Sequence, residues 1–83
     1  MDTLGWVYYK KGHADQAIPQ FESAIQKGRA NALYRYHVGL AYMQAGEAEK
    51  ATRALEEALR LNPSSADAED ARQRLARLKG LSP

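Results

Sequence analysis

Val38-Gly39-Leu40-Ala41-Tyr42 is the stretch from which the fold can be worked out, because its pattern occurs twice. Thirty-four residues upstream, Leu4-Gly5-Trp6-Val7-Tyr8 has the same order of an aliphatic residue, a glycine and a tyrosine. The same spacing relates five further pairs: Gly12 and Gly46, Ala14 and Ala48, Ala17 and Ala51, Phe21 and Leu55, and Ala24 and Ala58. Self-similarity at one fixed period indicates a chain built from repeated structural units.

Within each unit, apolar residues three or four positions apart form one face of a helix. The two stripes are Ala17, Phe21, Ala24 and Ile25 in the first unit, and Ala51, Leu55, Ala58 and Leu59 in the second. In period and in residue pattern the chain resembles the tetratricopeptide repeat family over nearly its whole length. The resemblance implies an all-α fold: a right-handed superhelical stack of two antiparallel helix hairpins, followed by a C-terminal capping helix.

Turn and cap residues predict the helix boundaries. Gly12 and Gly46 suit the turns of the two hairpins, and Asn31 suits the N-cap of the third helix. We expect helices to begin near Met1, Ala14, Ala32, Ala48 and Ala66. We expect the whole chain to form one domain, with a first repeat at residues 1–31, a second at 32–65 and a capping helix at 66–79.

The first repeat has no counterpart of Asn31-Ala32-Leu33-Tyr34, the opening turn of the second repeat. A first repeat normally carries its own cap, so we expect the sequence to come from a longer protein with more repeats upstream. A natural start at Met1 is the alternative.

The fifth helix departs from the repeat. Gln73 and Ala76 stand where a glycine and a tyrosine would recur after another 34 residues. One apolar stripe remains, formed by Ala68, Ala71, Leu75 and Leu78. A single apolar face and an otherwise charged surface are typical of a terminal cap. We interpret its basic residues as a solvated face, with contact to an acidic partner as the alternative: Arg72, Arg74, Arg77 and Lys79.

Two small residues, Gly5 and Gly39, are expected where the two helices of each hairpin approach most closely. Phe21 and Leu55 are expected to fill the space between hairpins. The sequence also departs from the family pattern at Arg35, where a large aromatic residue is usual.

Composition excludes several kinds of chemistry. The chain has 83 residues and no cysteine, so disulfides, thiol catalysis and cysteine-bound zinc are excluded. A net charge of +2 is too balanced to indicate nucleic-acid binding. The apolar runs are much shorter than the ~20 residues needed to span a bilayer, so we expect no membrane insertion. His13 and His37 have no nucleophile or metal-ligand partner at helical spacing, so we expect no metal, no cofactor and no enzymatic activity.

In proteins of the family that this chain resembles, the first helix of each hairpin lines a concave groove that holds peptides. The resemblance therefore places an apolar and aromatic groove at Trp6, Tyr9, Tyr36, His37, Leu40, Met43 and Gln44. Packing between neighbouring helices is the alternative, and for Leu33 and Leu40 both interpretations stay open. Some family members grip a carboxylate with a clamp of basic residues and asparagines, but the equivalent positions here hold other residues: Asp2, Trp6, His37, Asp67 and Ala71.

These features predict a non-enzymatic scaffold that binds a peptide segment of a partner protein. The alternative is self-assembly into homodimers through the uncovered N-terminal hairpin, at residues 1–26. The stretch from Asp2 to Gly12 is similar to repeats of bacterial envelope and exopolysaccharide assembly proteins. That similarity favours a bacterial protein, cytoplasmic or periplasmic, without identifying its partner.

Overall fold

A computed structural model describes residues 3–28, 31–64 and 66–80 of the chain. This part is all helical, and its elements are α1 (Thr3–Lys10), α2 (Ala14–Gln26), α3 (Ala32–Gln44), α4 (Ala48–Leu61) and α5 (Ala66–Gly80). The predicted all-α fold and the predicted starts of α2 to α5 are confirmed. The predicted start at Met1 lies outside the described residues.

The two hairpin turns have the same hydrogen bonds, 34 residues apart. Gly12 and Gly46 adopt φ values of +83° and +81°, a left-handed conformation that glycine reaches without strain. The residue after each glycine donates its N–H to the carbonyl five residues earlier, His13 to Tyr8 at 2.8 Å and Glu47 to Tyr42 at 2.9 Å. This pattern closes the end of a helix and reverses the chain. Each pair of helices therefore folds back into a hairpin.

Local signals also account for the helices between the turns. Asn31 caps α3 as predicted, because its side-chain oxygen accepts the N–H of Tyr34 at 3.0 Å. Pro19 lies inside α2, which nevertheless continues to Gln26. No helix in the described part of the chain is both long enough and apolar enough to cross a membrane.

Helices that follow one another along the chain pack side by side, and α3 contacts α2, α4 and α5. The core has two parts. One surrounds Phe21 between α1, α2 and α3, and the other surrounds Leu55 between α3, α4 and α5. Phe21 and Leu55 are the largest fully buried side chains among the described residues, as expected from their place between hairpins.

Gly5 and Gly39 stand where a core side chain lies directly against the helix backbone. A Cβ added to Gly5 would lie 2.9 Å from the ring of Phe21, and one added to Gly39 would lie 2.8 Å from Leu55. Both distances are shorter than van der Waals contact. The predicted close approach of the helices at these positions is confirmed.

The cap helix α5 buries its predicted stripe. The four residues of that stripe are all buried: Ala68, Ala71, Leu75 and Leu78. Ala71, Leu75 and Leu78 belong to the core around Leu55, so α5 occupies the place that the first helix of another repeat would take.

Candidate peptide-binding groove

The candidate groove runs along α1 and α3, which the fold places next to each other. A ring stack and a hydrogen bond join these two helices. The ring of Trp6 stacks on the ring of His37, with centroids 4.3 Å apart, and the side-chain amide of Gln44 donates to the backbone carbonyl of Tyr9 at 3.2 Å. Four of the predicted groove residues therefore come together from two helices.

Aromatic rings continue on both sides of this contact. Tyr9 stacks on Trp6 at 5.2 Å between centroids, and Tyr36 meets His37 at 5.8 Å. The ammonium group of Lys10 lies 5.5 Å from the centroid of Trp6. Trp6, Tyr9 and His37 are all half-buried, so each residue keeps part of its surface exposed. A cluster of this kind offers flat apolar area together with polar edges.

Tyr36 and Leu40 occupy the core beneath α5. Tyr36 is 8% exposed and Leu40 is 3% exposed, and both pack with Ala71 and Leu75. For Leu40, which the sequence left open between groove and core, the structure shows a core position. The ring of Tyr36 was expected to face the groove, but α5 covers it. These two side chains therefore present little apolar surface to a ligand.

The hydroxyl of Tyr36 belongs to a polar network that sequence reasoning missed. It donates to the carboxylate of Asp70, and the Arg74 guanidinium donates to the same oxygen at 2.6 Å. Burial raises the pKa of the Tyr36 hydroxyl above its ordinary value, and the hydrogen bond to Asp70 raises it further. Burial also acts to raise the pKa of Asp70, but the hydrogen bonds from Tyr36 and Arg74 outweigh it and lower that pKa.

The position of Arg74 differs from the one expected from the sequence. The sequence placed it on a solvated basic face, whereas its side chain is only 31% exposed and points to Asp70. The spacing contained the signal: Asp70 follows Tyr36 by 34 residues, and equivalent positions of consecutive repeats lie side by side. The other basic residues of α5 are exposed: Arg72, Arg77 and Lys79.

Five of the predicted groove residues remain at least partly accessible: Trp6, Tyr9, His37, Met43 and Gln44. Beyond Tyr36 lies a cavity of about 150 Å³ between the first turns of α3 and α5 and the end of α4. Its walls are mostly apolar and include Leu33, which is 47% exposed. Asp67 supplies a carboxylate at the same place. The cavity could hold one aliphatic side chain.

Within the described residues, no group of three or more acidic or histidine side chains is arranged to hold a metal ion. No curated protein matches the sequence significantly. A sequence model of the tetratricopeptide repeat family matches residues 3–66 and again residues 39–77. The two matches together cover most of the chain, and the five helices of the structure fit the same family. The chain therefore belongs to the tetratricopeptide repeat family.

Proposed function

We propose that this protein is a non-enzymatic scaffold that binds a peptide segment of a partner protein along α1 and α3. Repeats of its family generally mediate contacts between proteins and are not catalytic. The observation that carries the proposal is the aromatic cluster of Trp6, Tyr9 and His37, which is held by both helices and is partly exposed. Tryptophan and tyrosine at such positions contribute most to binding at protein interfaces.

The neighbouring features suggest how a peptide would be oriented. An apolar segment would lie over Trp6 and Tyr9, and an aliphatic side chain would enter the 150 Å³ cavity beyond Tyr36. The carboxylate of Asp67 beside that cavity favours a basic residue next to the aliphatic one.

A random library of twelve-residue peptides, displayed on phage, tests this proposal without knowledge of the partner. Peptides selected on the protein are then titrated against the variant Tyr9→Ala with Met43→Ala. We expect at least a tenfold loss of affinity, because the variant removes two partly exposed groove side chains. Both side chains also pack against the edge of the core, but the fully buried Phe21 and Leu55 are unchanged.

Val7→Ala is the matched control, since Val7 is on the same helix and exposed but is not among the groove residues. It should bind the selected peptides as the unmodified protein does. Equal binding by the groove variant and the control, with both folded by circular dichroism, would refute the proposed site.

Self-association is the second candidate function, and one observation favours it. Leu4 and Val7 on α1 are 50% and 43% exposed, although both are aliphatic. Exposed apolar patches commonly mark interaction surfaces. A second copy of the chain would cover this face in a two-fold dimer, in which the same residues meet from both sides.

A further inference from the structure

A second groove lies between α2 and α4, with α3 as its floor. Its volume is about 800 Å³, and it is open to solvent. Ile25 of α2 and Ala54 of α4 line its sides, and Val38 and Tyr42 form the floor. None of its lining residues belongs to the predicted peptide groove or to the 150 Å³ cavity. We call it the α2–α4 groove.

The two grooves use different faces of α3. Arg35, Val38 and Tyr42 follow one another at three and four residues and form one face. On α3, the accessible residues His37 and Gln44 of the first site are offset from the middle of that face by more than a third of a turn. A ligand in the α2–α4 groove would therefore leave the aromatic cluster uncovered.

The acidic residues that line the α2–α4 groove already have partners. Glu22 accepts a hydrogen bond from the hydroxyl of Tyr42, and Glu57 is paired with Arg60. Glu56 lies 3.6 Å from the ammonium group of Lys79. Cations therefore partly neutralise Glu56 and Glu57 before any ligand arrives, whereas Glu22 is bonded by a neutral hydroxyl and keeps its charge.

Two of the cations that line the groove, Arg35 and Arg53, differ from the others in having no ion-pair partner within the part of the chain that the structure describes. Among the described residues, no carboxylate lies within 4.0 Å of Arg35 or Arg53, whereas Arg60 and Lys50 have Glu57 and Glu47 as partners. Their charges act only over a longer range: Arg35 helps to lower the pKa of Glu57, after the larger effect of Arg60.

Arg35 gives the strongest indication that the groove binds an acceptor. Its Nε is buried, and no atom of the described residues accepts a hydrogen bond from it. A buried donor without an acceptor is unfavourable, and the imbalance is larger when the donor is charged. An acceptor in the α2–α4 groove would bond this nitrogen after the Arg35 side chain rotates toward the groove, and it would neutralise a charge at the same time.

We propose that the α2–α4 groove binds an acidic segment of a partner protein, in which a glutamate or aspartate carboxylate pairs with Arg35 and Arg53. Apolar side chains next to that carboxylate would rest on Ile25 and Ala54, which are half-buried. Guanidinium groups bind carboxylates through paired hydrogen bonds, so arginine suits this role. The protein would then hold two different segments at once, an acidic one here and an apolar one on α1 and α3.

The test uses two fluorescent peptides of eight residues, one of alternating leucine and glutamate and one with glutamine in place of each glutamate. We expect the acidic peptide to bind at least tenfold more tightly, with an affinity that falls as salt is added. In the NMR spectrum of the unmodified protein, the Nε–H signal of Arg35 should shift during the titration. Equal binding of the two peptides, or an unchanged Arg35 signal at saturation, would overturn the proposal.

Variants of matched charge show whether the location is right. Arg35→Gln with Arg53→Gln should weaken binding of the acidic peptide at least tenfold. Arg53→Gln alone should also weaken it, by a smaller factor. The control is Arg72→Gln with Arg77→Gln, which removes the same charge from exposed positions on α5. Equal losses in the two double variants would indicate a general charge effect and refute the site.

Two further measurements distinguish a peptide carboxylate from a simple anion, and the α2–α4 groove from the groove on α1 and α3. Inorganic phosphate at millimolar concentration should not displace the acidic peptide; displacement would indicate a simple anion site. Tyr9→Ala with Met43→Ala should leave acidic-peptide binding unchanged, because those residues do not line the α2–α4 groove. Loss of binding in that variant would contradict the separation of the two grooves.

Discussion

Individual residues in this protein act through close contacts between neighbouring helices. Gly39 allows α3 to lie against Leu55, which is fully buried. Tyr36 and Asp70 join α3 to α5 by a hydrogen bond between equivalent positions of the repeat. Both contacts can be changed by one substitution, and each leads to a prediction.

Gly39→Ala should destabilise the protein by about 1–2 kcal/mol, because the strain of the added methyl group exceeds the gain in helix propensity. Gly80→Ala is the matched control, since a Cβ at Gly80 meets no atom within 4 Å. That control should be neutral or slightly stabilising. Urea unfolding of both variants measures the difference, and equal stabilities would show that the contact with Leu55 is not tight.

Asp70→Asn should reduce stability at pH 7 and have little effect near pH 2. Its pKa is lowered in the folded protein, so its contribution is fully present above its unfolded pKa of about 4 and is lost as the pH falls through the folded value. The free energy of unfolding of the variant and the unmodified protein should therefore converge in acid.

Glu69→Gln serves as the control for this pH dependence, because its side chain is 70% exposed and makes only surface contacts, an ion pair with Arg72 and a long hydrogen bond from Gln73. Urea titrations at pH 7, 4 and 2.5 make the comparison. A constant difference between Asp70→Asn and the unmodified protein across this range would contradict the assignment.

At the scale of the helices, α5 decides which parts of α3 are accessible. Its apolar stripe completes the core around Leu55 and covers Tyr36 and Leu40. The Tyr36–Asp70–Arg74 network fixes the same helix on its polar side. The cap is therefore both a part of the core and one wall of the candidate binding surface.

Leu75→Ala should destabilise the protein by about 2–3 kcal/mol, because the residue is buried and its truncation leaves a cavity. It should also speed hydrogen exchange in α5 more than in α2. Leu61→Ala makes the same chemical change at a site that is 40% exposed and should cost much less. Similar losses in both variants would mean that α5 contributes little to the core.

At the scale of the whole molecule, three surfaces lie on different parts of one small stack. They are the aromatic cluster on α1 and α3, the α2–α4 groove, and the exposed aliphatic face of α1. A scaffold with separate surfaces can bring different partners together without any change in its own shape.

The face of α1 leads to the prediction about self-association. If a second copy covers Leu4 and Val7, Leu4→Glu should convert a concentration-dependent dimer into a monomer in sedimentation equilibrium, because it would bury a charge at the interface. Leu61→Glu introduces the same charge at another exposed leucine and should leave the dimer intact. A monomer at millimolar concentration of the unmodified protein would rule out this function.

Much of the fold was predictable from the sequence because its causes are local. The period of 34, the turn glycines and the cap residue Asn31 predicted four helix starts, and the helical spacing of its apolar residues predicted the stripe of α5. Each signal depends on residues only a few positions apart, so helix type and order follow without knowledge of distant contacts. Gly39 was also predictable, since the repeat itself requires a small residue there.

Burial and pairing across helices were decided only in the tertiary structure. Tyr36 and Trp6 look equally suited to a groove in the sequence, but α5 covers the first and leaves the second partly exposed. Arg74 turns toward Asp70, and Arg35 keeps a buried nitrogen without an acceptor among the described residues. The physical reason is that a side chain's exposure depends on how a neighbouring helix is rotated and placed, and that rotation results from the fit of the whole core.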